Sequence, residues 1–179
     1  VVTLVSYGID DTWVSDDEGN HYETKFLRMG DGRNDIGLRF RAPGVPQGSK
    51  ITAAFIRFSP YVSSTAPITM TIYGEAVDYA QPFLASNELV PFRPRTTAFV
   101  NWVITCLHWK EGTRPTSPDI SPVIQEIVNR QGWVPHNALA LLLIADPRDL
   151  GNGSRTVFSY EGSVAENAPW GVPELEICY

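Results

Sequence analysis

Soft metal ligands are scarce in this chain: 179 residues include two cysteines and three histidines. His21, His108 and His136 show no ligand spacing, and Cys106 and Cys178 cannot form a metal site by themselves, so a zinc centre is excluded. Positive charge is also short. Lys and Arg total 14 against 20 Asp and Glu, a net charge of −6, with no basic block to hold a phosphate backbone; nucleic acid is not the expected partner. No apolar run approaches the roughly 18 residues of a membrane span. The longest, Ala138–Ala145, is strand-sized. G-x-S-x-G, a Cys–His arrangement and H-E-x-x-H are all missing, and the chain is read as having no catalytic residues. Carboxylates are plentiful, but sequence spacing does not set two of them face to face across a glycosidic bond. There is no internal repeat and no low-complexity tail. Neither an initiator Met nor a signal peptide opens the chain, which leads to the expectation of a mature secreted protein, although a piece excised from a longer chain looks the same.

Helical periodicity is rare as well. It is confined to Ser117–Trp133, where Ile120, Val123, Ile124, Ile127 and Val128 recur at i, i+3, i+4, i+7 and i+8. Ser121 is the expected cap and Pro122 the first helical residue, so the helix is expected over about residues 122–131, with Gly132 as a left-handed stop. Its apolar face must lie on or across a sheet. Gln125, Glu126, Asn129 and Arg130 face outward, as a solvated surface or as groups able to do chemistry.

What is abundant is strand and turn. Gly and Pro number 14 each, and hydrophobic residues make up 43% of the chain, a mix suited to a β-rich domain with many turns. Val1–Tyr7 reads as a first strand; Asp10–Asn20 is acidic, aperiodic and read as a loop. Asp35–Arg41 and Ile68–Glu75 alternate cleanly, and Lys50–Phe58 is apolar on both faces. Ala76–Thr96 is a long proline-bearing connection. Thr97–Thr105, Ala138–Ile144, Arg155–Tyr160 and Pro173–Cys178 complete about eight strands. The expectation is one all-β domain over residues 1–179, a two-sheet jelly-roll-like β-sandwich with one short α-helix.

Several stretches carry a resemblance. IGLRFRAPGVPQGSKITAAFIRF, TIYGEAVDYAQPF, RPRTTAFVNW, the helix with its following NALALLLI, and SRTVFSYEGS are similar to the DNRLRE-type, carbohydrate-binding-module-like β-sandwiches of secreted bacterial proteins. The similarity runs from about Ile36 to the end of the chain. It implies a non-catalytic accessory fold. It also implies calcium held between the early acidic loop and an Asp after the late Tyr; here Asp10 and Asp11 stand in the loop, but Glu161 takes the late position and Phe26 replaces a further acid.

Read from the residues, Asp10, Asp11, Asp16, Asp17 and Glu18 are the candidate calcium ligands, or else a solvated acidic loop. Trp13, Tyr79, Phe83, Trp109 and Trp170 fall in loop-like segments and are the candidate glycan-stacking rings, whereas Trp102 and Trp133 look like core. Cys106 and Cys178 either form a disulfide, worth about 4 kcal/mol in the chain-entropy picture, or stay as buried thiols. Asn152 opens a glycosylation-type sequon, and Ser63, Ser64 and Thr65 could also carry sugar. Val1, Val2, Leu4 and Val5 form an apolar strand that pairs either in its own sheet or with a neighbour's. The expected function is a secreted, extracellular structural or adhesive building block that self-associates into a homo-oligomer or filament; the alternative is a polysaccharide-binding module.

Overall fold

The alternating segments become strands, and each strand buries the face its pattern marks as apolar. The computed structural model describes residues 1–15, 19–84, 89–105, 109–150 and 153–179. Its strands are β1 (Val2–Leu4), β2 (Asp11–Ser15), β3 (Gly19–Tyr22), β4 (Phe26–Gly30), β5 (Asp35–Phe40), β6 (Ala53–Arg57), β7 (Ile68–Glu75), β8 (Arg95–Ile104), β9 (Leu139–Ala145), β10 (Ser154–Phe158) and β11 (Glu174–Cys178). The helices are α1 (Ser121–Val128) and α2 (Tyr160–Ala165). One layer is an antiparallel sheet in the order β3-β2-β5-β9-β7-β8. The other contains β1-β11-β6 and the ribbon β10-β4. Residues 59–61 join these two parts, through Phe158 N–H to Ser59 O at 3.0 Å and Tyr61 N–H to Thr156 O at 2.9 Å. The protein is an all-β sandwich.

Between the layers lies one apolar core reaching from Val5 to Ile177. Ile36, Leu38 and Phe40 of β5, Ile68, Met70 and Ile72 of β7, and Leu141 and Leu143 of β9 share it with Ile56, Val157 and Leu175 of the opposite layer. Phe58 stacks on Trp102 at 5.9 Å, tying the layers together. Helix α1 closes one end, burying Val123, Ile124, Ile127 and Val128 against β6, β7 and β8.

Several expectations need correcting. The segment after Asp10 is not a loop: Asp11–Ser15 is a fully buried strand between β3 and β5. The strand Phe26–Gly30 and the helix α2 have no counterpart in the sequence reading. Helix α1 stops at Val128, and Ile120 is its cap residue. The capping work falls to Asp119, whose carboxylate accepts the Ser121 N–H and hydroxyl and also the Ala54 N–H, each at 2.9 Å. Gly132 has no positive φ; it is a glycine because the Asp78 side chain occupies the space a Cβ would need.

The long connection after β7 is not a free loop. Its Ala80, Phe83 and Val90 pack on Val14, Ala140 and Leu142, the outer face of the six-stranded sheet. Phe83 N–H bonds Ile9 O at 2.8 Å and Ala80 N–H bonds Ala138 O at 2.9 Å, so the segment is strapped down at both points. A buried Arg93 secures it further, bonding Glu75, Gln81 O and Pro82 O while its guanidinium lies 4.3 Å from the Phe83 ring centroid.

Candidate functional site

The polar face of α1 carries structural ties. Gln125 accepts the Ile51 N–H at 2.8 Å and donates to Ser49 O and Asn129 Oδ1. Glu126 accepts the N–H and hydroxyl of Thr97 and the N–H of Ala98, fastening the start of β8 to the helix. Burial works to raise the Glu126 pKa, but these bonds, with Arg130 nearby, outweigh it and hold the carboxyl below its ordinary range. Arg130 in turn bonds Asp78 at 2.7 Å.

The acidic residues are also committed. Asp10 is fully buried, with Arg39 at 2.5 Å on one oxygen and Arg41 at 2.6 Å on the other. Asp11 accepts the Tyr160 N–H at 2.8 Å, fixing the start of α2 to β2. Burial pushes its carboxyl well above the usual value; the Tyr160 bond pulls back, and the charges of Glu161 and Asp10 add to the rise. Burial and the charge of Glu23 raise Glu161 too. Calcium needs six to eight hard oxygens. Among the described residues no three His, Cys, Asp or Glu side chains gather as a metal would require, and both Asp10 oxygens serve guanidinium groups. Of the candidate ligands, the described Asp10 and Asp11 do not by themselves supply that number. Asp16, Asp17 and Glu18 lie outside the described residues.

The five candidate rings do not converge. Trp13 sits buried in β2, stacked on His21 at 4.0 Å; Phe83 is sealed under the strap; Trp109 is 1% exposed. These three rings are packed away from any sugar; Trp13 lies in a strand rather than a loop-like segment, whereas Phe83 and Trp109 lie outside strands and helices as expected but are buried. Tyr79 and Trp170 remain half-exposed. Tyr79 lies under Arg39, which donates to its hydroxyl at 3.2 Å, and Trp170 packs edge-on against Phe158 at 5.8 Å. A cavity of about 440 Å³ opens beside Trp102, Trp109 and Arg114, but the Trp109 indole N–H is sealed away from it and from solvent.

Cys178 is a free, exposed thiol, so the expected bridge to Cys106 is not formed; Cys106 itself lies outside the described residues, as does Asn152. Val1, Val2, Leu4 and Val5 pair within their own chain: β1 runs antiparallel to β11 with Thr3 opposite Leu175, and Val5 N–H bonds Pro173 O at 3.1 Å.

What the fold does bring to the surface is strand edges. Among the described residues β1 and β4 end one layer and β3 and β8 the other, and of these β1 borders a groove and β8 is the longest. Beside β1 runs an apolar groove of about 480 Å³, walled by Leu4, Val5, Tyr160, Ser163, Val164 and Val172. Tyr7 stacks near Tyr160 at 6.5 Å and under Arg41 at 4.0 Å, framing it. β8, ten residues long, holds Phe99 and Val103 outward at 52% and 62% exposure. Sequence reasoning missed α2 and therefore the groove. The available signal was Ser159, whose hydroxyl caps α2 by accepting the Gly162 N–H at 3.0 Å.

Fold and surface together define the class: an all-β sandwich. No helix among the described residues is long and apolar enough to cross a membrane. No family model matches the chain, and no curated protein is similar to it in sequence.

Proposed function

We propose that the chain is a non-catalytic, secreted structural or adhesive building block that associates with copies of itself into a filament or surface assembly. One observation carries this reading. Among the described residues β1 and β8 each lie at the end of a sheet with no strand paired on the outer side, Glu126 holding only the start of β8, and both display apolar side chains. Soluble monomers blunt such edges with Lys, Pro or bulges. β8 contains neither Lys nor Pro, and the irregularity in its pairing with β7 is confined to its start, between Arg95 and Phe99. Two different sticky surfaces on one subunit make head-to-tail contacts, which grow without closing unless the rotation happens to complete a ring. The burial of Asp11, beyond reach of a substrate, fits a surface that binds rather than transforms. Negative-stain imaging of the native protein tests the reading: fibres or sheets support it, and isolated particles at every concentration count against it.

A second reading, a polysaccharide-binding module, is favoured by Trp170 and Tyr79, the two candidate rings left at the surface. Flat rings beside polar groups suit the C–H face of a sugar. It predicts glycan-array binding that is lost on Trp170→Ala. An array without hits removes it.

A further inference from the structure

Resting on the self-association reading, we infer that the contact is heterologous: the β8 edge of one copy docks along β1 of the next, with Phe99 and Val103 entering the groove between β1 and α2. The strand edges supply the first argument. A row of unpaired backbone groups on β1 is satisfied by another strand laid alongside, and β8, ten residues long, is the longest of the other end strands, β3, β4 and β8. The groove supplies the second. Leu4, Val5, Val164, Pro169 and Val172 make most of its lining apolar, the Ser163 hydroxyl is sealed from solvent, and Ser6 and Asn167 are the polar members, so an apolar side chain matches the greater part of it. Phe99 and Val103 project from one face of β8, four residues apart, as alternation along a strand requires.

Charge supplies the third. β8, Arg95 to Ile104, carries one Arg and no acid, whereas α2 and the turn after it, Tyr160 to Trp170, carry Glu161 and Glu166 and no base. Glu166 shares its charge with Lys25 at 3.9 Å and Arg41 stands over Tyr7, so the preference for this pairing over β8 on β8 is modest, but Arg95 meets acids on the α2 side that a second β8 does not offer. Leu4 and Val164 are 40% and 62% exposed, so the groove is accessible to a neighbour.

The test uses the native chain and two double variants, Phe99→Glu with Val103→Glu, and Leu4→Glu with Val164→Glu. All four positions are exposed, and circular dichroism melts check that both variants fold. In sedimentation velocity the native chain assembles, and each variant alone loses every species larger than a monomer. Mixed in equal amounts, the variants form a dimer and stop there, because each keeps one intact surface. Assembly by either variant alone, or a mixture that stays monomeric, overturns the inference while the self-association reading stands. A native chain that is monomeric throughout overturns both.

Discussion

At the scale of single residues, the buried carboxylates decide how stability responds to pH. A carboxylate whose folded-state pKa is raised costs stability above that pKa and stops costing it once protonated. Asp11 and Glu161 are both raised, so stability should increase as pH falls from neutral through the range where they take up protons. It should then drop as Glu126 and Asp119, both held below their ordinary values, and Asp146, held at about 2, are protonated in turn. Asp11→Asn keeps an acceptor for the Tyr160 N–H and removes the buried charge. Urea denaturation across pH should find this variant more stable than the native chain at neutral pH, with a flattened acid-side rise; a less stable variant there would contradict the assignment. Backbone strain gives a second residue-scale prediction. Ala42 is exposed and holds φ at 43°, a left-handed geometry costing about 1–2 kcal/mol for a residue with a Cβ. Ala42→Gly should raise stability by about 0.5–1 kcal/mol once glycine's greater unfolded freedom is subtracted, as read by thermal melting.

At the scale of elements, the strap and the helix are held by contacts between residues far apart in sequence. Gly37 lies under Phe83, and a Cβ there would meet the fully buried ring at 2.5 Å. Gly37→Ala should cost about 1–3 kcal/mol in denaturant midpoints by overpacking the strap. Glu126→Ala frees three donors at the start of β8 and should cost about 1–2 kcal/mol, whereas Glu126→Gln should lose less because one oxygen remains to accept. Helix α1 and strands β5, β7 and β9 are legible in the sequence because apolar periodicity is a local signal. β2 is not, because the acids around it read as loop until Arg39 and Arg41 arrive from β5 and its end to neutralise Asp10. The strap was half-legible. Leu139 to Leu143 is apolar on both faces, which signals a strand covered on both sides, but nothing local identifies Phe83 as the cover.

At the scale of the whole molecule, the strands at β1 and β8 are legible in the sequence, but that they lie at sheet ends is not. β1 was recognisable as an apolar strand; that it pairs with β11 and borders a groove depends on α2, a six-residue helix too short to leave a periodic trace. The glycan-binding expectation rests on rings in loop-like segments, and three of the five are buried: Trp13 in a strand, Phe83 in the strap and Trp109 in an irregular segment that packs into the core. Self-association therefore rests on what the folded surface leaves unpaired. The most direct measurement of it is the sedimentation coefficient of the native chain followed from micromolar to millimolar concentration. A distribution that moves continuously to larger species is the predicted result; a single monomeric boundary at every concentration would contradict it.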